Sequence, residues 1–179
     1  MTMDTFEALK ADVKNIVGLS DTELEILSRN GEQLLQLLDS VIKDHREELM
    51  GDLKVDNPED MLSLIEEFLR IILTGAQDFE SIRKLSLRAL KTGTSIYKFA
   101  LTISTVLDRI KPLIMDNVEN PEDVIEALKK FSMVMLILLA DEINQAFLQA
   151  VREATGMSQA LLENYMKSVI DSMIESEGA

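Results

Sequence analysis

The chain has 179 residues, 46% of them hydrophobic and 28% charged, which suits one domain with a full core and excludes a disordered segment. With 32 acidic residues against 18 basic ones the net charge is −14, so nucleic acid and anionic membrane surfaces would repel it unless a basic patch were set apart. There is no cysteine, hence no disulfide, thiolate metal site or cysteine nucleophile, and the composition suits a reducing compartment.

Almost every segment carries helical period and none sustains strand alternation, so the expected class is all-α. A first helix is predicted from about Asp4 to Val17, ending near Gly18. Ser20, three residues before Glu23, reads as a capping box opening the next helix, with a break expected near Asn30 and Gly31. Beyond that break a further helix carries Leu34, Leu35, Leu38, Val41, Ile42 and Leu49. Asn57 followed by Pro58, Glu59 and Asp60, and Asn120 followed by Pro121, Glu122 and Asp123, are two matching helix starts. In each, Asn is the expected N-cap, Pro takes the first helical position and two acids face the positive end of the dipole. Helices are predicted from Asp60 to Leu73, Asp78 to Lys91 and Ser95 to about Met115, with Pro112 bending or fraying the last. A long helix follows to about Ala154. The weak break at Thr155 and Gly156 precedes a last helix from Ser158 to about Glu175.

From Pro121 to Ala154 the long helix would measure roughly 50 Å at ~1.5 Å per residue, against roughly 40 Å for a compact domain of this length. Its Phe131 to Ala140 section is apolar on nearly every face, as in a helix buried all round. One chain covers one side, and a second copy is the expected cover for the other. The candidate dimer residues are Phe131, Val134, Leu138, Ile143 and Phe147. The longest apolar run, Met133 to Ala140, is far shorter than the ~20 residues of a bilayer span. Met1 to Asp4 shows no secretion signal. Lys43, Arg46, Lys129 and Lys130 all have acidic neighbours, so no basic patch is visible. The expectation is a soluble cytoplasmic homodimer with no nucleic-acid binding and no membrane insertion.

The catalytic inventory is thin. His45 is the only histidine and sits among Lys43, Asp44, Arg46, Glu47 and Glu48, as a solvated surface histidine would. Adjacent acids such as Glu47 and Glu48, Glu66 and Glu67, or Asp141 and Glu142 diverge by about 100° around a helix. There is no Glu-x-x-His pattern for a metal held inside a bundle and no glycine-rich phosphate loop. These readings point away from an enzyme. Met133 and Met135 are expected to fill core gaps, and Tyr97 and Phe99 to pack inward or line a pocket.

The segment Leu87 to Ser95, with Gly93 near its end, resembles the stretch of globin-coupled sensors that carries the proximal haem histidine four residues before a glycine. Here that position is Ala89. Ile96 to Ala100 is similar to the start of the next long helix of that family, and Asp21 to Met50 to its first two core helices. Over about residues 20 to 155 the chain resembles the non-haem branch of the superfamily, that of stressosome and sporulation-control sensory domains. The resemblance implies a globin-like helical bundle whose last two long helices form a dimer four-helix bundle. It also implies a sensory input at 20–155, preceded by an N-terminal helix at 1–19 and followed by a signalling or linker helix at 156–179. A methyl group cannot ligate iron, so no haem is expected at Ala89.

A globin plan without haem leaves either a filled core or a cavity for another apolar ligand, and the resemblance implies a fatty acid. Candidate lining residues are Phe68, Leu69 and Ile72 from one helix, Leu85 and Ala89 from the next, and Ile96, Phe99 and Ile103 from the third. The alternatives are a ligand-free dimerisation scaffold and a haem sensor with an unusual axial ligand. Leu162, Met166, Val169 and Met173 have the four-three spacing of a coiled-coil seam and suggest that the last helix hands a signal to a downstream output domain or protein.

Overall fold

The computed structural model describes residues 3–53, 57–75, 79–92 and 96–177, and among them there are seven helices and no strand. They are α1 Met3–Val17, α2 Asp21–Leu53, α3 Pro58–Thr74, α4 Phe79–Lys91, α5 Ile96–Asn117, α6 Pro121–Thr155 and α7 Gln159–Glu177. No helix is long and apolar enough, among the described residues, to cross a membrane.

Local chemistry sets most of the ends. At the end of α1 the Leu19 N–H reaches back to Lys14 O at 2.9 Å, the six-to-one bond of a Schellman stop. Ser20 and Glu23 then form the expected capping box. The Ser20 N–H donates to Glu23 Oε2 at 2.7 Å and the Glu23 N–H to Ser20 Oγ at 3.3 Å. Leu19 and Leu24, which flank the box, are both buried, as in a hydrophobic staple. At α3 the Asn57 side chain accepts from the Asp60 N–H at 3.3 Å, as expected of an N-cap. Asn120 does otherwise. Its φ is 50° and its side chain makes no cap hydrogen bond, so Asn serves there because it tolerates the left-handed region.

The break expected at Asn30 and Gly31 does not occur, and α2 runs unbroken for 33 residues, about 50 Å. The Asn30 side chain donates to Ile26 O at 2.8 Å, one turn back, instead of ending the helix. Gly31 costs about 1 kcal/mol relative to alanine in a helix. That cost is small beside the burial of Leu27, Leu34 and Leu38 around it, each worth about 1.5–3 kcal/mol. Pro112 likewise fails to end α5, which continues to Asn117. Pro112 and Asp108 both lie on the exposed face, where the carbonyl deprived of its N–H partner meets water.

α6 is the hub and packs against α1, α2, α3, α4 and α5, while α2 also packs along α3 and α5. α1 buries Phe6 and Val13 in this same core. The buried residues of α6 run from Val124 to Glu142 at helical spacing. Its last three turns carry no fully buried residue. Gly156, at φ 67°, closes α6 with its N–H on Arg152 O at 2.9 Å, and α7 leaves the bundle from there.

Two glycines separate conformational need from packing. A Cβ at Gly75 would stand 3.2 Å from Leu24 O with φ at 68°, whereas one at Gly31 would meet Thr74 Cα at an ordinary 3.5 Å. Gly75→Ala is therefore expected to lower stability by at least about 1–2 kcal/mol, and Gly31→Ala to leave it level or raise it by up to about 1 kcal/mol. Urea denaturation midpoints of the two variants check this, and equal shifts would count against the α2–α3 crossing.

Candidate functional site

The residues around Ala89 are the first candidate. Ala89 is 3% exposed, and Phe68, Leu69, Ile72, Leu85, Phe99 and Ile103 are all buried. Ile96, at the start of α5, lies at the surface. The rings of Phe68 and Phe99 meet edge to face with centroids 5.4 Å apart, a favoured aromatic geometry. A water-sized void would leave accessible area on the side chains bordering it, and these have almost none. Ala89 and the six buried residues therefore show no water-sized void at their side chains in this structure. Tyr97, expected to pack inward or line this site, is 72% exposed.

Beside it lies a feature that adjacent acids in a sequence do not reveal. Glu142 of α6 is buried where α6 faces α4, and its carboxylate stands 4.0 Å from Arg83 Nε. Burial raises its pKa above the ordinary 4.5, against the pull of the Arg83 charge. A carboxyl whose folded pKa is raised contributes stability that is full below about 4.5 and fades as pH rises through the folded value. Glu142→Gln is therefore expected to melt higher than the parent near neutral pH, with the gap closing toward pH 4. Arg83 is half exposed and remains solvated without its partner. Melting curves at stepped pH test the sign, and a gap that widened in acid would refute it.

The surface partners behave differently. Glu23 receives Lys130 Nζ at 2.6 Å, tying α2 to α6. Burial alone would raise its pKa, but the bonds from Lys130 and Ser20 outweigh that and hold it lowered. Arg109 grips Glu48 with two nitrogens at 3.0 and 2.6 Å, joining α5 to α2 and lowering the Glu48 pKa. His45 stands 3.4 Å from that same Glu48 with its side chain 40% exposed. Among the described residues no three His, Cys, Asp or Glu side chains are placed to hold a metal ion.

The second candidate is α6. Phe131, Val134 and Leu138, expected at a subunit interface, are all buried against the chain's own helices. The section is apolar on all sides, and periodicity alone does not say which side the chain itself covers. Of the five expected interface residues, Ile143 is half-buried and Phe147 is 51% exposed. The outer face carries Met133 at 48% and Ile137 at 41% exposure, with Leu136 and Ala140 half-buried between them. Met133 is thus not a core filler, although Met135 is.

The outer face has a pattern of its own. Met133, Leu136, Ala140, Ile143, Phe147, Ala150 and Ala154 follow one another at three-four spacing, as a and d positions of heptads do, and none is fully buried. The buried residues Val124, Leu128, Phe131, Met135, Leu138 and Glu142 follow the same alternation, so spacing alone does not separate the outer seam from the inner one. On α5 the exposed residues Tyr97, Leu101, Ser104, Asp108, Lys111 and Met115 keep the same alternation. Between the two helices runs a groove of about 500 Å³ with an apolar floor that includes Ile103, Leu107, Leu128 and Leu136. Asp108, Lys111 and Lys129 stand along it. It shares only Ile103 with the residues chosen around Ala89.

α7 is the third candidate. It makes no extended contact with another helix among the described residues. Leu162 is buried, while Met166 and Val169 are exposed and the Met173 side chain lies outside the described residues. The proposed seam is split, because Leu162, Met166 and Ile170 border a cleft between α6 and α7 that Val169 does not reach.

No family model matches this chain, and neither a curated protein nor a solved structure is similar to it.

Proposed function

We propose that this chain is a non-enzymatic sensory module of globin-like plan that works as a homodimer. In this reading α5 and α6 of two copies form a four-helix bundle, and α7 passes the signal to an output domain or protein. The observation that carries the reading is the outer α5–α6 face. Two long helices expose residues in the same heptad alternation, apolar along α6 and mixed along α5, with a groove between them and no covering element among the described residues. Stable interfaces bury roughly 800 Å² per partner around an apolar centre with a polar rim. Met133, Leu136 and Ile137 supply such a centre, and Asp108, Lys111 and Lys129 offer charges of both signs for pairing across a two-fold axis.

The likeness of Leu87 to Ala100 to globin-coupled sensors supports the sensory part, with Ala89 in place of an iron ligand and no haem required. The packing of α4 on α6, and of α2 on α3 and α5, suits a globin-like plan. Light scattering of the unmodified protein at micromolar concentration is expected to give twice the chain mass. A monomer ends the proposal.

A second reading draws on the lysines of the same groove. An acyl chain laid along its floor would bring a fatty-acid carboxylate to Lys111 or Lys129. It places the apolar ligand on the outer face instead of beside Ala89, and it makes ligand and dimer competitors. Mass spectrometry of small molecules extracted from the purified protein separates the two, since this reading requires an acyl chain in a monomeric fraction.

A further inference from the structure

α7 is apolar on two adjacent faces. Leu162, Met166 and Ile170 recur every four residues and border the cleft between α6 and α7, which is about 890 Å³ in volume and continues to Leu148 of α6. Leu161, Tyr165 and Val169 form a second stripe one residue earlier, about 100° around the helix, and are 56%, 59% and 39% exposed. A helix with one apolar stripe needs one neighbour, and a helix with two stripes at this angle needs two. Its own α6 supplies only part of one, since Leu162 is buried at the apex while Met166 and Ile170 remain exposed farther along.

We infer that the α6–α7 cleft is filled by α7 of a second copy, so that the two hairpins interlock about a two-fold axis. Each α7 then lies between the α6 and the α7 of the other chain. The Met166 and Ile170 stripes face one another across the axis, and the Leu161, Tyr165 and Val169 stripe rests on the other copy's α6 near Leu148. Such an isologous contact gives both stripes a neighbour, using one surface twice. Charge agrees with this occupant. Arg152 and Lys167 stand at the cleft, with Glu153 engaged by Gln149 at 2.8 Å, while the α7 sequence carries four acidic residues against one basic. An acidic helix approaching Arg152 of α6 is favoured over a basic one. The inference rests on the pairing of copies proposed above and adds a contact separate from the α5–α6 face.

The chain has no cysteine of its own, so engineered thiols report cleanly. Leu148→Cys and Tyr165→Cys are made as separate full-length variants, one with a mass tag, then mixed, exchanged and treated with a short bis-maleimide. The mixed adduct is expected in high yield, falling several-fold when Arg152→Glu is added. A protein that is dimeric by light scattering yet gives no mixed adduct overturns this inference and leaves the α5–α6 reading standing, with the cleft then open to a helix of another protein. Adding Ile137→Asp to both variants distinguishes the reverse failure. A dimer and adduct that persist in that background with unchanged affinity support the interlocked hairpins and sink the α5–α6 reading. A monomer in the parent protein overturns both.

Discussion

Ile137→Asp is expected to weaken the dimer by orders of magnitude while each chain stays folded, whereas Leu138→Asp is expected to unfold it. The two residues are neighbours on α6 but differ in what covers them. Ile137 is 41% exposed and Leu138 fully buried within one chain. An aspartate at 137 is solvated in the monomer and becomes costly only when a second copy removes its water. The two-fold axis places that penalty on both copies, and an unpaired charge buried in an interface costs several kcal/mol or more. Dissociation with retained helicity follows. An aspartate at 138 has no such escape, because the core closes around it whatever the oligomeric state. A whole domain is stable by only about 5–15 kcal/mol, so this one change is expected to abolish cooperative folding. Light scattering and circular dichroism on both variants read the difference. If Ile137→Asp stays a dimer with unchanged affinity, the α5–α6 face is not the interface.

That contrast also marks where sequence stops being informative. The capping box at Ser20 and Glu23 and the Asn57 cap were legible because a cap is a contact between residues three apart. The unbroken α2 was not legible. Asn30 and Gly31 are poor helix formers, and what carries the helix through them is packing with residues far away in the chain, including Thr74. The Phe131 to Ala140 section was recognised as needing cover on two sides, but which side the chain covers depends on where α1 to α5 lie. Heptad alternation does not decide it, because the inner face from Val124 to Glu142 has the same spacing as the outer one from Met133. Glu142 read as half of an ordinary acidic pair with Asp141, since burial of a charge beside a distant Arg83 leaves no trace in local spacing. On α7 the paired apolar residues were visible, but only the turn at Gly156 assigns Leu162, Met166 and Ile170 to the cleft and Val169 to the other face.

Ala89→Trp tests directly whether a cavity lies beside Ala89. A small residue where a related fold holds a cofactor invites the inference of a cavity, which an indole would fill, raising the melting temperature. The structure leads to the opposite expectation. Ala89 is 3% exposed on a helix that packs against α6 and α3, and the residues chosen around it are closed against water, Phe68 and Phe99 edge to face. An indole has no room there unless α4 is pushed off its neighbours. Overpacking a filled core costs about 1–3 kcal/mol for modest insertions and more for large ones, so the variant is expected to lose at least about 3 kcal/mol, extrapolating that trend. The control runs the other way. Phe99→Ala removes the ring that packs on Phe68 and is expected to cost about 3–5 kcal/mol, leaving a cavity that a small apolar solute can stabilise. Two substitutions of opposite size that both destabilise identify a filled core, and denaturant midpoints with unchanged slopes suffice to show it. A higher melting temperature for Ala89→Trp would instead reveal a void beside α4 and return the apolar ligand to that position.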